Sequence, residues 1–65
     1  MNDKVFEQIL VIRDSGETNM FAVDVVQRIA FDRGFHELVL YIKEHKRDYV
    51  HFILTGERGI VQNQE

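Results

Sequence analysis

Residues 38–42 read Leu-Val-Leu-Tyr-Ile, five apolar side chains in a row near the middle of a 65-residue chain that has no cysteine and no proline. A surface helix confines its apolar residues to a stripe about 100° wide, so the element that carries this run must be covered on nearly all sides. On a helix, Phe35, Leu38, Val39 and Ile42 form one stripe at i, i+3, i+4 and i+7, and Leu40 and Tyr41 fall outside it. A five-residue strand is the rival reading of any short apolar run. Helix is preferred because the chain shows no second strand signal and no hairpin turn.

The length limits how that cover can be provided. A domain this small buries only about 60% of its unfolded surface and usually needs disulfides, a metal, oligomerisation or very good helix packing. Without cysteine, disulfides and thiolate metal sites drop out, so packing and self-association remain. The apolar share of 45% is that of a folded domain, and 29% charged residues keep it soluble. The chain starts with no basic and apolar leader pattern and contains no run near the roughly 20 residues that span a bilayer. A cytoplasmic protein without membrane contact is expected. Net charge is −3, and only Lys43, Lys46 and Arg47, beside His45, approach the basic cluster that phosphate binding asks for.

Val5, Phe6, Ile9, Leu10 and Ile12 recur at helical spacing, with Asp3, Lys4, Glu7, Gln8, Arg13 and Asp14 on the wet side and Val11 as an apolar exception. Asn2 or Asp3 can cap this helix and Gly16 can stop it, before a polar loop over residues 15–19. Asp24 and Gln27 resemble a capping box that starts a second helix near residue 24, with a buried stripe of Val25, Val26, Ile29 and Ala30. Met20, Phe21 and Ala22 lead into it as an apolar elbow. Gly34 ends it, with Phe35 packing back in a Schellman arrangement. A third helix covers residues 35–44. The chain then either breaks near residues 45–47, with Asp48 close to the start of a fourth helix, or continues as one helix of 21 residues. The break is favoured because folding back buries more apolar surface. Tyr49, Val50, Ile53 and Leu54 are expected to face inward, and Thr55 and Gly56 to end the helix. The expected architecture is all-α, a small bundle of three to four short helices over residues 1–56, followed by a polar, flexible tail over residues 57–65.

Several patterns carry possible chemistry. Ala30 and Gly34 have the spacing of the close helix crossing in helix-turn-helix units, but the next helix offers Leu38, Val39, Leu40 and Tyr41 where a DNA reader presents polar and basic groups. His36, His45 and His51 stand nine and six residues apart, not the three or four that place two ligands on one helical face. The carboxylates are scattered, and four short helices scarcely form the cleft a two-carboxylate hydrolase needs. No catalytic residue, metal site or cofactor is expected. Phe31, Tyr41 and Phe52 each fall away from the main stripe of their helix and, with Leu40, can line an exposed patch of the kind found at protein interfaces.

The stretches KVFEQILVIRDSGETNMF, VQRIAF, ELVLYI and FILTGE resemble a family of short proteins of unknown function from Gram-positive bacteria and their phages and prophages. The resemblance covers residues 4–57. It implies a phage or prophage origin and brings no activity or site residue with it. Gly34 and Phe35 also look like the glycine-aromatic turn of ubiquitin-associated-type three-helix modules, and DYVHFILTGE, residues 48–57, is similar to their last helix. That likeness implies a peptide- or protein-binding surface.

The expected function is that of a small non-catalytic interaction module, forming a homodimer or binding a host or phage protein through Phe31, Leu40, Tyr41 and Phe52. The alternative is a helix-turn-helix-like DNA binder, with Lys43, Lys46 and Arg47 on phosphates.

Overall fold

A computed structural model describes residues 1–57 as four helices, α1 (Asp3–Ser15), α2 (Val23–Asp32), α3 (His36–Glu44) and α4 (Lys46–Thr55). No strand occurs among the described residues, and the expected all-α bundle is what forms. Most of the expected tail, residues 58–65, lies outside the described residues.

Side chains and glycines set most of the helix ends. The Asn2 side chain accepts a hydrogen bond from the Val5 N–H at 2.9 Å, satisfying one of the donors that a helix start leaves over. At the end of α2 the Gly34 N–H donates to the Phe31 carbonyl (3.0 Å) and the Phe35 N–H to the Ala30 carbonyl (2.8 Å). These are the two bonds of a Schellman motif, and they need Gly34 at φ +78°, a region costly for a residue with a Cβ.

The expected capping box at Asp24 and Gln27 does not form. The α2 cap is Ala22, with no side-chain bond, and its carbonyl accepts from the Val25 and Val26 N–H groups. Asp24 lies inside the first turn, where its charge suits the helix dipole. Gln27 reaches instead to the Val39 carbonyl at 3.2 Å, tying α2 to α3.

The chain breaks at a single residue, His45 (φ −135°, ψ 46°). Its N–H donates to the Tyr41 carbonyl at 2.7 Å and its own carbonyl accepts from Tyr49 at 3.0 Å, so it closes α3 and opens α4. The 21-residue helix is thereby ruled out.

α3 is the central element, packed against α1, α2 and α4. Val5, Ile9, Ile12, Val26, Ala30, Leu38, Ile42, Tyr49 and Phe52 form one buried core. The fully buried Tyr49 donates its hydroxyl to the Met20 carbonyl at 2.7 Å, pinning α4 to the loop between α1 and α2. Burial pushes this phenol up to about 12. Across the same seam Phe52 meets Phe6 edge-on, ring centroids 5.7 Å apart at 76°.

These anchors turn α4 by about one residue, roughly 100°, from the orientation its apolar pattern suggests. Phe52 faces the core and is only 7% exposed, whereas Leu54, expected inside, is 68% exposed. Val25, expected in the α2 stripe, is likewise exposed.

Gln8 departs from expectation in the opposite sense. Assigned to the wet side of α1, it is buried. Its Oε1 accepts from the Leu38 N–H at 3.0 Å and its Nε2 donates to Glu37 Oε1 at 2.9 Å. Leu38 lies in the first turn of α3, where backbone donors lack intrahelical partners, and α3 has no side-chain cap from its own N-cap residue. Gln8 supplies that cap from another helix.

Candidate interaction surface

The outer side of α4 carries Lys46, Arg47, Val50, His51 and Leu54, which line an open hollow of about 380 Å³. Their spacing explains the grouping, since 46, 50 and 54 stand four apart and 47, 51 and 54 four and three apart, on one helical face. Tyr49 and Phe52, the buried residues of α4, occupy the other side. Once their anchors set the rotation, Val50 is left half-buried and Leu54 exposed.

Lys46 also borders a second hollow of about 450 Å³, lined further by Phe21, Ala22, Val23, Asp24 and Val25 at the entry to α2. Phe21 and Val25 are exposed. Phe21 is held there by an Asx turn, its N–H donating to Asn19 Oδ1 at 2.8 Å. The lysine stem thus joins two apolar floors.

Of the residues singled out from sequence, Phe31 is 64% and Leu40 54% exposed, on α2 and α3 respectively. Tyr41 is half-buried beside His45, ring centroids 5.4 Å apart. Its phenol is raised above the ordinary range by burial and then by the Asp48 charge. Phe52 is in the core and cannot form part of a surface patch. The structure thus places one of the four interaction residues in the core and leaves the other three on α2 and α3.

Lys43, Lys46 and Arg47 are exposed and have no ion-pair partner among the described residues. Lys46 and Arg47 belong to the α4 hollow; Lys43 lies on α3. Sequence reasoning missed Phe21, Val25 and Leu54. The available signal was numerical: residues 49–54 hold five apolar side chains, more than one buried stripe of a ten-residue helix accommodates.

Other side chains serve local structure. The Ser15 hydroxyl donates to the Ile12 carbonyl at 2.6 Å and that of Thr55 to the His51 carbonyl at 2.8 Å. His45 faces Asp48 at 3.6 Å and His51 faces Glu57 at 3.7 Å. Arg33 pairs with Glu17, linking the end of α2 to the loop after α1. The Glu37 carboxyl is held below its ordinary value of 4.5, first by the bond from Gln8 and then by its own backbone N–H. Among the described residues no three His, Asp or Glu side chains are gathered to hold a metal ion, and no helix is long and apolar enough to cross a membrane.

Comparison with curated proteins and with solved structures found no match in either case. A family profile described only as a domain of unknown function, DUF5049, matches residues 1–57, and with nearly the whole chain covered the protein belongs to that family.

Proposed function

We propose that the chain is a small non-catalytic protein-interaction module, cytoplasmic and phage or prophage encoded, acting by self-association or by binding a host or phage protein. One observation carries the reading: Leu54, 68% exposed, sits with Val50 in an apolar hollow edged by Lys46 and Arg47. A lone exposed leucine means nothing. A contiguous apolar floor rimmed by charge, joined through Lys46 to the Phe21 and Val25 hollow, has the make-up of an interface core and its polar rim. Phe31, Leu40 and Tyr41 are retained as further contact points.

The non-catalytic part rests on how the chemically able groups are used. The hydroxyls of Ser15, Tyr49 and Thr55 bind backbone carbonyls, and His45 and His51 are in exposed pairs. The phage origin rests on the sequence resemblance alone.

The test is solution mass up to about 1 mM, the weakest association worth considering, together with affinity capture by the immobilised chain, each repeated with Leu54→Asp. Association or capture that the substitution abolishes supports the reading. A monomer throughout, with an identical capture pattern for both proteins, defeats it. DNA binding gains no support from the exposed face of α3, where Glu37 and Glu44 stand beside His36 and Lys43 and would repel phosphate.

A further inference from the structure

We infer that the α4 hollow takes the α4 helix of a second copy of this chain, the two helices antiparallel about a two-fold axis near Val50. The inference rests on the interaction reading and adds the occupant and its orientation.

The charge layout of α4 points to a second copy. Lys46 and Arg47 are its first two residues and its last turn holds no basic residue. Cations are disfavoured at a helix start and favoured at a helix end, so within one molecule these charges are on the wrong end. Asp48 is the only acid in that turn and it leans toward His45 at 3.6 Å. An antiparallel partner reverses the mismatch. With Val50 at the centre and a rise of 1.5 Å per residue, Lys46 of one copy lies about 6 Å along the axis, level with Leu54 of the other. That is the last turn, where helix carbonyls lack intrahelical donors, and Glu57 follows just beyond, its carboxylate facing His51 at 3.7 Å and exposed enough to meet a second cation. Lysine and arginine stems lying over Leu54 would cover it while their charges meet the partner's helix end.

The apolar pattern has the same symmetry. Residues 46, 50 and 54 form one ridge, so a two-fold through Val50 sets Val50 on Val50 and each Leu54 against a Lys46 stem. Such an isologous contact closes at two copies. α4 is ten residues, about 15 Å long. Even with the adjoining Phe21 and Val25 hollow, the contact falls at the small end of interfaces, and the dimer is expected to dissociate between about 10 μM and 1 mM.

Sedimentation equilibrium of the full chain across that range tests this, with circular dichroism melting as the check on folding. The expected result is a mass rising from 7.7 kDa toward twice that value. Leu54→Asp abolishes the rise. Arg47, level with residue 53 of the other copy, reaches toward Glu57 just past the helix end, so Arg47→Glu and Glu57→Lys singly weaken the dimer about threefold and the two together restore most of that loss. Lys46→Glu removes a cation from the helix start, so it should weaken the dimer without lowering the melting temperature of the dilute monomer. A monomer at every concentration overturns the inference, and the capture arm of the preceding test then decides the broader reading by itself. A dimer that survives Leu54→Asp but is lost with Leu40→Asp overturns the inference and leaves the interaction reading standing. A dimer weakened by both single charge reversals and not restored by their combination overturns the antiparallel arrangement.

Discussion

Replacing Gln8 with leucine probes the contact that sequence reasoning placed on the wrong side of α1. The side chain is buried and bridges to α3, accepting from the Leu38 N–H at 3.0 Å and donating to Glu37 at 2.9 Å. Leucine fills similar space but leaves the buried Leu38 donor without a partner. Such an orphaned group costs about 1–3 kcal/mol. The Glu37 carboxylate, being exposed, regains water and adds little. A domain this small rarely has more than about 3–5 kcal/mol in total, so the loss is a large share of it. At about 4–8 °C per kcal/mol for a chain of this size, a mid-range loss of about 2 kcal/mol lowers the melting temperature by about 8–16 °C. Thermal melting by circular dichroism gives the global number, and amide exchange at Leu38 gives the local one. Gln8→Glu sharpens the experiment, because it keeps an acceptor for Leu38 but sets two carboxylates together. It should be least stable near neutrality and recover as pH falls and one of the pair takes a proton. A Gln8→Leu protein that melts within about 2 °C of the parent, with Leu38 still protected from exchange, would refute the role of Gln8 as the cap of α3.

Other outcomes follow from the same geometry. Glu37 is held below 4.5 in the folded state mainly by Gln8, so its contribution to stability is present above that pH and lost as pH falls through the depressed value; an NMR titration should find Glu37 shifted back up toward 4.5 in Gln8→Leu. Tyr49 is neutral when folded up to about 12 against an ordinary 10.0, so stability is full below pH 10.0 and falls as pH rises from there toward 12. Tyr49→Phe should lose about 1 kcal/mol near neutrality with the bond to the Met20 carbonyl, and show a flatter alkaline decline in denaturant melts. At Gly34 an added Cβ meets nothing within 4 Å, leaving only the strain at φ +78°, so Gly34→Ala should cost about 1–2 kcal/mol in urea titration. Leu38→Ala, at a site with no exposure, should cost about 2–5 kcal/mol and show little cooperative melting at all.

How much the sequence reveals varies with how locally each feature is determined. Helix ends set by one residue were readable: Asn2 and Gly34 act as their chemistry predicts. The α2 start was not, because Asp24 and Gln27 fit a local capping box and Gln27 instead found a carbonyl on α3. For the candidate surface, Lys46 and Arg47 were visible as a basic pair, while Leu54 and Phe21 were hidden among residues expected in the core or its elbow. Apolar side chains exceed the space inside α4, and the pattern alone does not say which are turned out.

By itself, the sequence determined the helix content and the identity of most core positions, because 3.6-residue periodicity and glycine stops act within a few residues of chain. Between one long helix and a break near residue 45 it only favoured the break, and the structure decided. Only the tertiary structure decided the rotation of α4 and the burial of Gln8. Both depend on single partners 29 or 30 residues away, the Met20 carbonyl for Tyr49 and the Leu38 N–H for Gln8. Those two bonds set which face of α4 is turned out and how α3 begins. The run at residues 38–42 divides accordingly, with Leu38 and Ile42 sealed in the core and Leu40 left exposed.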